Sequence, residues 1–182
     1  GWSQVGGDLA GQRYSPLDQI DRENVARLEE AWRFESGDVT PTTSLQVTPI
    51  LVGGDLVICT PRNQVVSLDA ETGEEHWRFD ANPDLAGIYN PLCRGVAQAR
   101  VDSRVCPSRI YLGTLDARLI ALDAETGQVR WRRNDLPWLA HVTRMVLAGD
   151  QLVFEMSSLS DHDAGNAIHV ASATTGEPVA TF

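Results

Sequence analysis

The chain has 182 residues, of which 42% are hydrophobic and 22% charged, so it is long enough to bury a substantial core. Its net charge of −10 at pH 7 argues against a nucleic-acid or anionic-membrane partner. All fifteen basic residues are arginine, which excludes a Walker-type phosphate loop, a lysine Schiff base and a lysine general base within the chain.

Residues 1–34 predict an N-terminal segment that contains a short helix and a strand. The helix is expected to begin with Asp21 as its N-cap and to run through Leu28. The segment Ala31-Trp32-Arg33-Phe34 matches the end of the repeat described next, without the turn that precedes it there. We expect the Trp32 strand to be the outer strand that completes the last blade of a closed ring.

A repeated segment determines the expected architecture. Residues 68–79 read LDAETGEEHWRF, residues 122–133 read LDAETGQVRWRR, and a decayed copy at 171–182 has Ala180 in place of the tryptophan. Successive tryptophan positions are about 45 to 55 residues apart, a period typical of four-stranded propeller blades. The Asp-x-x-Thr-Gly turn predicts a strand on each side, and the tryptophan is expected to pack between neighbouring sheets.

Short apolar runs separated by turn residues predict the remaining strands. The predicted strands are 46–52, 56–60, 64–68, 109–113, 118–122, 142–147, 151–155 and 167–171. The fold class is therefore an all-β partial β-propeller of about three four-stranded blades (44–80, 95–133 and 140–182) plus the N-terminal outer strand. Three blades are fewer than the four to eight that close a ring, so we expect a fragment of an eight-bladed propeller, or part of a ring that a second chain completes.

The three cysteines are Cys59, Cys93 and Cys106, and none forms a C-x-x-C pair. Cys59 ends an apolar run and is interpreted as a buried strand residue. Cys93 and Cys106 flank a short segment and could form a disulfide in an oxidising compartment. The alternative is two free thiols.

Several motifs in order along the chain resemble the membrane-bound quinoprotein glucose dehydrogenase family and its quinate and alcohol dehydrogenase relatives. The resemblance is clear over residues 2–133 and loose over 134–182. The motifs are GGDLAGQRYSPL at 6–17, NVARL at 24–28, VTP at 47–49, CTP at 59–61, LCRGV at 92–96, CPSRI at 106–110 and GTLDARL at 113–119. The tryptophan repeat is shared by many propellers, whereas the ordered combination is specific to this family.

This resemblance implies a PQQ cofactor, a planar quinone with three carboxylates, held near the propeller axis with Ca²⁺. The metal acts as a Lewis acid, a carboxylate base takes the proton of a sugar or alcohol substrate, and electrons leave to ubiquinone or another acceptor. It also implies a periplasmic location, with an inner-membrane anchor outside this sequence. The catalytic base and the Ca²⁺ ligands are expected beyond residue 182.

Four cofactor-binding candidates follow from the resemblance. Arg94 could pair with a cofactor carboxylate, and Arg62 stands where relatives often have histidine. Thr114 could donate its hydroxyl to a second carboxylate, or could instead satisfy the backbone of a turn. Gln46 could contact the cofactor, or could simply start a strand.

Two alternatives to the enzyme remain open at this point. One is a non-catalytic tryptophan-docking scaffold resembling the lipoprotein of the outer-membrane assembly machinery, which would have no need for Arg94 and Thr114. The other is a degenerate relative that kept its blades and lost the cofactor. The segment Asp161-His162-Asp163 has metal-ligand chemistry, but its polar, small-residue surroundings favour a solvated loop.

Overall fold

A computed structural model of the chain describes residues 12–136, 140–158 and 167–182, which form three four-stranded antiparallel sheets. The first sheet contains β1 (Ile50–Val52), β2 (Asp55–Cys59), β3 (Gln64–Asp69) and β4 (Glu75–Asp80). The second contains β5 (Ala97–Arg100), β6 (Ser108–Gly113), β7 (Leu119–Asp123) and β8 (Val129–Arg133). The third contains β9 (Ala140–Ala148), β10 (Gln151–Ser158), β11 (Ala167–Ser172) and β12 (Pro178–Thr181). Strands adjacent in sequence are adjacent in each sheet, which confirms the prediction of three four-stranded blades.

The central strands are apolar because both of their faces are buried. Ile110 and Leu112 of β6 pack on the first sheet, whereas Tyr111 between them packs against the third. All three side chains are fully buried. A continuous apolar run is the pattern expected of a strand enclosed between two layers.

The three tryptophan contacts share one geometry. The indole N–H donates to a carbonyl in the β-turn of the next sheet along the chain, and the ring covers the glycine of that turn. The pairs are Trp32 with Ala70 and Gly73, Trp77 with Ala124 and Gly127, and Trp131 with Ala173 and Gly176, with N–O distances of 3.3, 3.2 and 3.3 Å. The Trp77 and Trp131 rings therefore link successive sheets, as the repeat predicts, and the Trp32 ring docks the N-terminal segment on the first sheet.

Each turn that receives an indole is organised by its first side chain. The Oδ1 atom of Asp69 accepts hydrogen bonds from the backbone amides of Glu71 and Thr72 at 2.9 and 2.7 Å. Asp123 makes the same pair of bonds in the second sheet. In the third sheet Ser172 stands in this position and its hydroxyl accepts the amide of Thr175. The aspartate of the repeat thus fixes the turn.

Ala180 occupies the tryptophan position of the third sheet. Trp77 pairs with Ser67, Trp131 with Ala121 and Ala180 with Val170, and a register shift follows each of these pairs. The third copy of the repeat therefore keeps its backbone register although its indole is absent.

The predicted helix from Asp21 to Leu28 is wrong in length and in its cap. The structure has a single 3₁₀ turn, Val25–Arg27, with Asn24 as its N-cap. Asp21 instead accepts the amides of Glu23 and Asn24 and forms the preceding turn. Val25 is 51% exposed, so no apolar face is buried to support a longer helix.

The strand predicted at Trp32 is also absent. Residues 28–36 pair with no strand among the described residues, although the Trp32 ring makes its contact with Gly73. A strand requires a hydrogen-bonded neighbour, whereas the indole contact requires only the turn that receives it. The first strand also begins at Ile50 rather than Gln46, and β5 had not been predicted.

None of the described residues forms a helix long and apolar enough to cross a bilayer.

The contact between Gly127 and Trp77 is open to a matched test. A Cβ at Gly127 (φ +70°) would lie 2.5 Å from the Trp77 ring, whereas one at Gly149 (φ +66°) would meet nothing within 4 Å. We expect Gly149→Ala to lower the free energy of unfolding by about 1 kcal/mol, the cost of a left-handed alanine. Gly127→Ala should cost a further 1–3 kcal/mol or so from overpacking. Equal losses in urea denaturation would contradict the docking geometry.

The Asp123 carboxylate should make the free energy of unfolding depend on pH in the acid range. Burial disfavours its charged form, but the Arg130 guanidinium, the Cys106 thiol and the amides of Glu125 and Thr126 outweigh burial and lower its pKa from 3.8 to about 2. Because its pKa is lower in the folded state, ionised Asp123 stabilises the fold above its unfolded pKa, and this stability is lost as pH falls towards about 2. Asp123→Asn should flatten the fall in unfolding free energy between about pH 4 and pH 2, measured by urea denaturation. An unchanged slope would show that this carboxylate is not coupled to folding.

Candidate functional site

One end of the sheets carries all four candidate residues. In an antiparallel meander, the turn between the second and third strands lies at the same end as the segment leading into the first strand. Arg62 and Thr114 lie in such turns, and Gln46 and Arg94 lie in segments that lead into β1 and β5. We call this end, formed by residues 38–49, 60–63, 81–96 and 114–118, the disulfide end.

A disulfide joins Cys59 to Cys93, with a Cα–Cα distance of 5.8 Å. The predicted pairing of Cys93 with Cys106 is therefore wrong, whereas Cys59 is the buried strand residue that the sequence predicts. Cys93 precedes β5 and Cys106 precedes β6, so the two residues lie at opposite ends of the second sheet. Cys59 ends β2 at the same end as Cys93. The bond ties the first sheet to the segment that leads into the second.

Cys106 is a free, buried thiol whose sulfur contacts the carbonyl of Ser108 at 3.2 Å. Burial and the neighbouring Asp123 carboxylate raise its pKa, so the thiol stays protonated and unreactive at neutral pH.

Arg94 is exposed and its backbone is anchored on both sides. Its neighbour Cys93 forms the disulfide, and its carbonyl accepts the amide hydrogen of Thr48 at 3.2 Å. Among the described residues, no carboxylate lies within ion-pair distance of its guanidinium. A held backbone with an unpaired cationic side chain suits the binding of an external anion.

Arg62 occupies a turn that follows Cys59 directly. Its amide donates to the carboxylate of Asp38 at 3.1 Å, and Asn63 closes the turn with a φ of +59°. The Arg62 side chain is exposed and has no ion-pair partner within the part of the chain that the structure describes. The disulfide end therefore carries two exposed arginines with no ion-pair partner among the described residues, Arg62 and Arg94, on segments that one covalent bond joins.

The hydroxyl of Thr114 is used inside its own turn. The side chain is 1% exposed and donates to the carboxylate of Asp116, while its oxygen accepts the Arg118 amide at 2.9 Å. This geometry matches the turn alternative for Thr114 and leaves no hydroxyl hydrogen for a ligand. Gln46 is exposed and its amide donates to the hydroxyl of Ser44 at 2.8 Å.

Two polar residues that sequence reasoning missed hold this end together. Asp38 is buried and accepts hydrogen bonds from the hydroxyls of Ser36 and Thr60. Asn63 is also buried, and its carbonyl oxygen accepts the amide of Leu115 at 2.8 Å. Asn63 thereby connects equivalent turns of two sheets. Both turns begin with threonine and have a positive φ three residues later, a similarity that aligning the repeats would have revealed.

A second connection runs from the Thr114 turn to the segment after β4. Arg118 pairs with Asp116 at 2.7 Å and donates to the carbonyl of Ala81 at 2.9 Å. Burial disfavours the charged form of Asp116, but bonds from Arg118, Thr114 and the Asp84 amide outweigh it and lower its pKa. The Arg118–Asp116 ion pair holds the Thr114 turn against the segment after β4. Both charged groups already have partners in the protein, so we assign them no ligand.

The described residues contain no group of three or more side chains suited to holding a metal ion. The Asp161-His162-Asp163 segment lies outside the described residues.

Comparison with known proteins gives the class of this propeller. Residues 2–132 match the PQQ family described as the β-propeller domain of glucose/ethanol/alcohol dehydrogenase. The chain is 38% identical over 149 residues to a quinate/shikimate dehydrogenase (quinone) of Acinetobacter baylyi, which covers 69% of this chain and 18% of the relative. It is 39% identical over 144 residues to the quinoprotein glucose dehydrogenase of Escherichia coli, covering 70% and 18%.

Solved structures agree with these matches. The quinohemoprotein alcohol dehydrogenase from Comamonas testosteroni superposes with a TM-score of 0.83 and 29% identity, over 100% of this chain and 27% of that one. A quinohemoprotein alcohol dehydrogenase from Pseudomonas putida gives 0.85 and 29%, over 100% and 26%. The chain belongs to the PQQ-dependent dehydrogenase family, as part of its β-propeller domain. It spans about a fifth of the length of the curated relatives it matches.

The disulfide pairing predicts a specific labelling pattern. Denaturation without reductant should expose one alkylatable cysteine, Cys106, identified by peptide mass spectrometry. Cys93→Ser should lower the unfolding free energy by about 3–4 kcal/mol, because it opens a loop with a sequence separation of 34 residues. The Cys59→Ser/Cys93→Ser double variant should lose no more than either single variant. A labelled Cys59 in the native protein, or additive losses, would refute the pairing.

Proposed function

We propose that this chain forms the N-terminal blades of a PQQ- and Ca²⁺-dependent dehydrogenase that oxidises a sugar or alcohol and passes electrons to a quinone acceptor. The observation that carries the proposal is the pair of exposed arginines, Arg62 and Arg94, on segments joined by the Cys59–Cys93 bond. Membership of the family supplies the cofactor class.

The donor set at the disulfide end fits the cofactor. PQQ carries three carboxylates, and arginine is the side chain that pairs with a carboxylate through two parallel hydrogen bonds. Thr114, whose hydroxyl is already committed, supports the cofactor only through the turn that it stabilises.

The role of Arg62 and Arg94 in the reaction is to bind and orient the cofactor. A bound PQQ with Ca²⁺ would supply the hydride acceptor for the substrate carbinol. Arg94 and Arg62 would hold its carboxylates, and the disulfide and Asp38 would keep the two arginine backbones in place. We propose that the catalytic base and the Ca²⁺ ligands come from parts of the protein outside these residues, either further blades of the same protein or a second chain.

We further propose that the protein works in the periplasm, with an anchor to the inner membrane outside this sequence. The Cys59–Cys93 disulfide supports this location, because disulfides persist in oxidising compartments and are rare in the cytosol.

Arginine substitutions test the proposal. Arg94→Ala and Arg62→Ala should each weaken PQQ binding to the intact protein by about 10- to 100-fold, since a hydrogen bond to a charged group contributes roughly 1.5–3 kcal/mol. Arg100→Ala is the matched control, because Arg100 is exposed at the opposite end of β5. Affinity is measured by titration of PQQ absorbance in the presence of Ca²⁺.

If both variants bind PQQ with unchanged affinity, Arg62 and Arg94 are not ligands of the cofactor. A protein that binds no PQQ at all would instead favour the non-catalytic scaffold or the degenerate relative.

A further inference from the structure

The turn that carries Arg62 and the turn that carries Thr114 have the same backbone hydrogen bonds. Each begins with a threonine whose amide donates to the carbonyl of the residue directly after the turn, at 2.8 Å for 60–63 and 2.9 Å for 114–117. The amide of the fourth residue donates back to the threonine carbonyl, and this residue has a positive φ, +59° for Asn63 and +60° for Ala117. The threonine Oγ also accepts the amide of the residue after the turn, at 3.2 and 2.9 Å. Two different sequences, TPRN and TLDA, thus form one kind of turn.

Both threonine hydroxyls donate to a carboxylate, but the two carboxylates come from different places. The Thr114 hydroxyl donates to Asp116, the third residue of its own turn, at 2.5 Å. The Thr60 hydroxyl donates at 2.5 Å to Oδ2 of Asp38, which lies 22 residues upstream. The third residue of this turn is Arg62, whose amide donates to the same oxygen of Asp38 at 3.1 Å. Asp38 therefore takes the part that Asp116 has in the second turn.

The Asp38 carboxylate is buried and is held in place by neutral donors. It is 8% exposed, and its Oδ1 atom accepts the hydroxyl of Ser36 at 2.8 Å. It has no ion-pair partner in the ranges that the structure describes. Burial of a carboxylate costs free energy, which its three hydrogen bonds offset. The segment before β1 thus brings a buried charge to the base of the Arg62 turn.

This exchange of carboxylates has a consequence for position 62. A turn that uses its third residue as the hydroxyl acceptor needs an acidic side chain there, as Asp116 shows. Because Asp38 supplies the acceptor from outside the turn, the third position is free to carry a cation. The Arg62 side chain is exposed, while its amide stays bound to Asp38.

We propose that Asp38 is the positioning residue of Arg62. By replacing the carboxylate that the turn would otherwise contain, it permits an arginine at the third position and holds the Arg62 backbone for cofactor binding. The positioning role rests on the proposed binding of PQQ by Arg62, whereas the exchange of carboxylates can be measured without the cofactor.

Urea denaturation of the intact, cofactor-free protein tests the exchange. Asp38→Ala should lower the urea midpoint by about 1 M, because the Thr60 hydroxyl and the Arg62 amide lose a charged acceptor. The double variant Asp38→Ala/Arg62→Asp should recover most of this loss, because an aspartate at position 62 can accept the Thr60 hydroxyl as Asp116 accepts that of Thr114. With Asp38 in place, Arg62→Asp should give no gain, since the single hydroxyl hydrogen of Thr60 already has its acceptor.

A double-mutant cycle on PQQ affinity tests the positioning role. Affinity is measured by titration of PQQ absorbance in the presence of Ca²⁺ and without urea. Asp38→Ala should weaken binding about 10-fold, both alone and in an Arg94→Ala background. In an Arg62→Ala background it should cause no further loss, because Asp38 acts through Arg62. A purely structural role would weaken binding equally in both backgrounds.

The control is Asp102→Ala, because Asp102 is exposed and follows β5 at the opposite end of the second sheet. It should change neither the urea midpoint nor the PQQ affinity. The double variant Asp38→Ala/Arg62→Asp should regain stability without regaining affinity, since position 62 can serve the turn or the cofactor but not both. If Asp38→Ala does not fold, Asp38→Asn, which keeps one acceptor oxygen, replaces it in both measurements, with smaller losses in the same direction.

Each other result identifies which claim fails. A double variant no more stable than Asp38→Ala would overturn the exchange of carboxylates. An equal loss of affinity in the Arg62→Ala and Arg94→Ala backgrounds would overturn the positioning role while leaving the cofactor proposal intact. If the unaltered protein binds no PQQ, the proposed function and the positioning role are both wrong, and the urea midpoints alone decide the exchange.

Discussion

The stacking of an indole on a glycine turn of the following sheet is the contact on which the rest of this structure depends. A four-stranded sheet with two apolar faces is unstable by itself, because it needs a neighbour on each side. The indole satisfies that requirement at a defined point, since its N–H donates to the turn carbonyl and its ring leaves no room for a Cβ on the glycine. Trp32, Trp77 and Trp131 repeat this contact along the chain.

The two ends of the sheets have separate tasks because of this arrangement. The turns that receive indoles all join third and fourth strands, so they lie at the end opposite to the disulfide. The disulfide end contains none of these three turns and carries polar side chains instead. Asp38, Asn63 and the Cys59–Cys93 bond hold it in shape, which allows Arg62 and Arg94 to remain exposed without losing their backbone positions.

The third sheet shows how the contact can be reinforced where the repeat has decayed. The carbonyl of Ala173 accepts the indole N–H of Trp131, and it also accepts the hydroxyl of Tyr111 at 2.9 Å and a guanidinium N–H of Arg109. Tyr111 and Arg109 are both buried. Three side chains of the second sheet therefore donate hydrogen bonds to one carbonyl of the third sheet. The third sheet itself has Ala180 where the other two sheets have a tryptophan.

The amino-acid sequence alone determined the class of fold, the three four-stranded sheets and the indole contacts, because these arise from local patterns. Turn residues, apolar runs and the tryptophan repeat act within short stretches of chain, and the ordered family motifs predict Arg62 and Arg94 as candidate cofactor ligands. Tertiary structure decided the partner of Cys93, the commitment of Thr114 to its own turn and the roles of Asp38 and Asn63. Each of these depends on which strand ends share one end of a sheet, and residues as far apart as Cys59 and Cys93 meet there only after the sheets have formed. The same reason explains the missing helix and the missing Trp32 strand, since both needed a packing or pairing partner that local sequence does not specify.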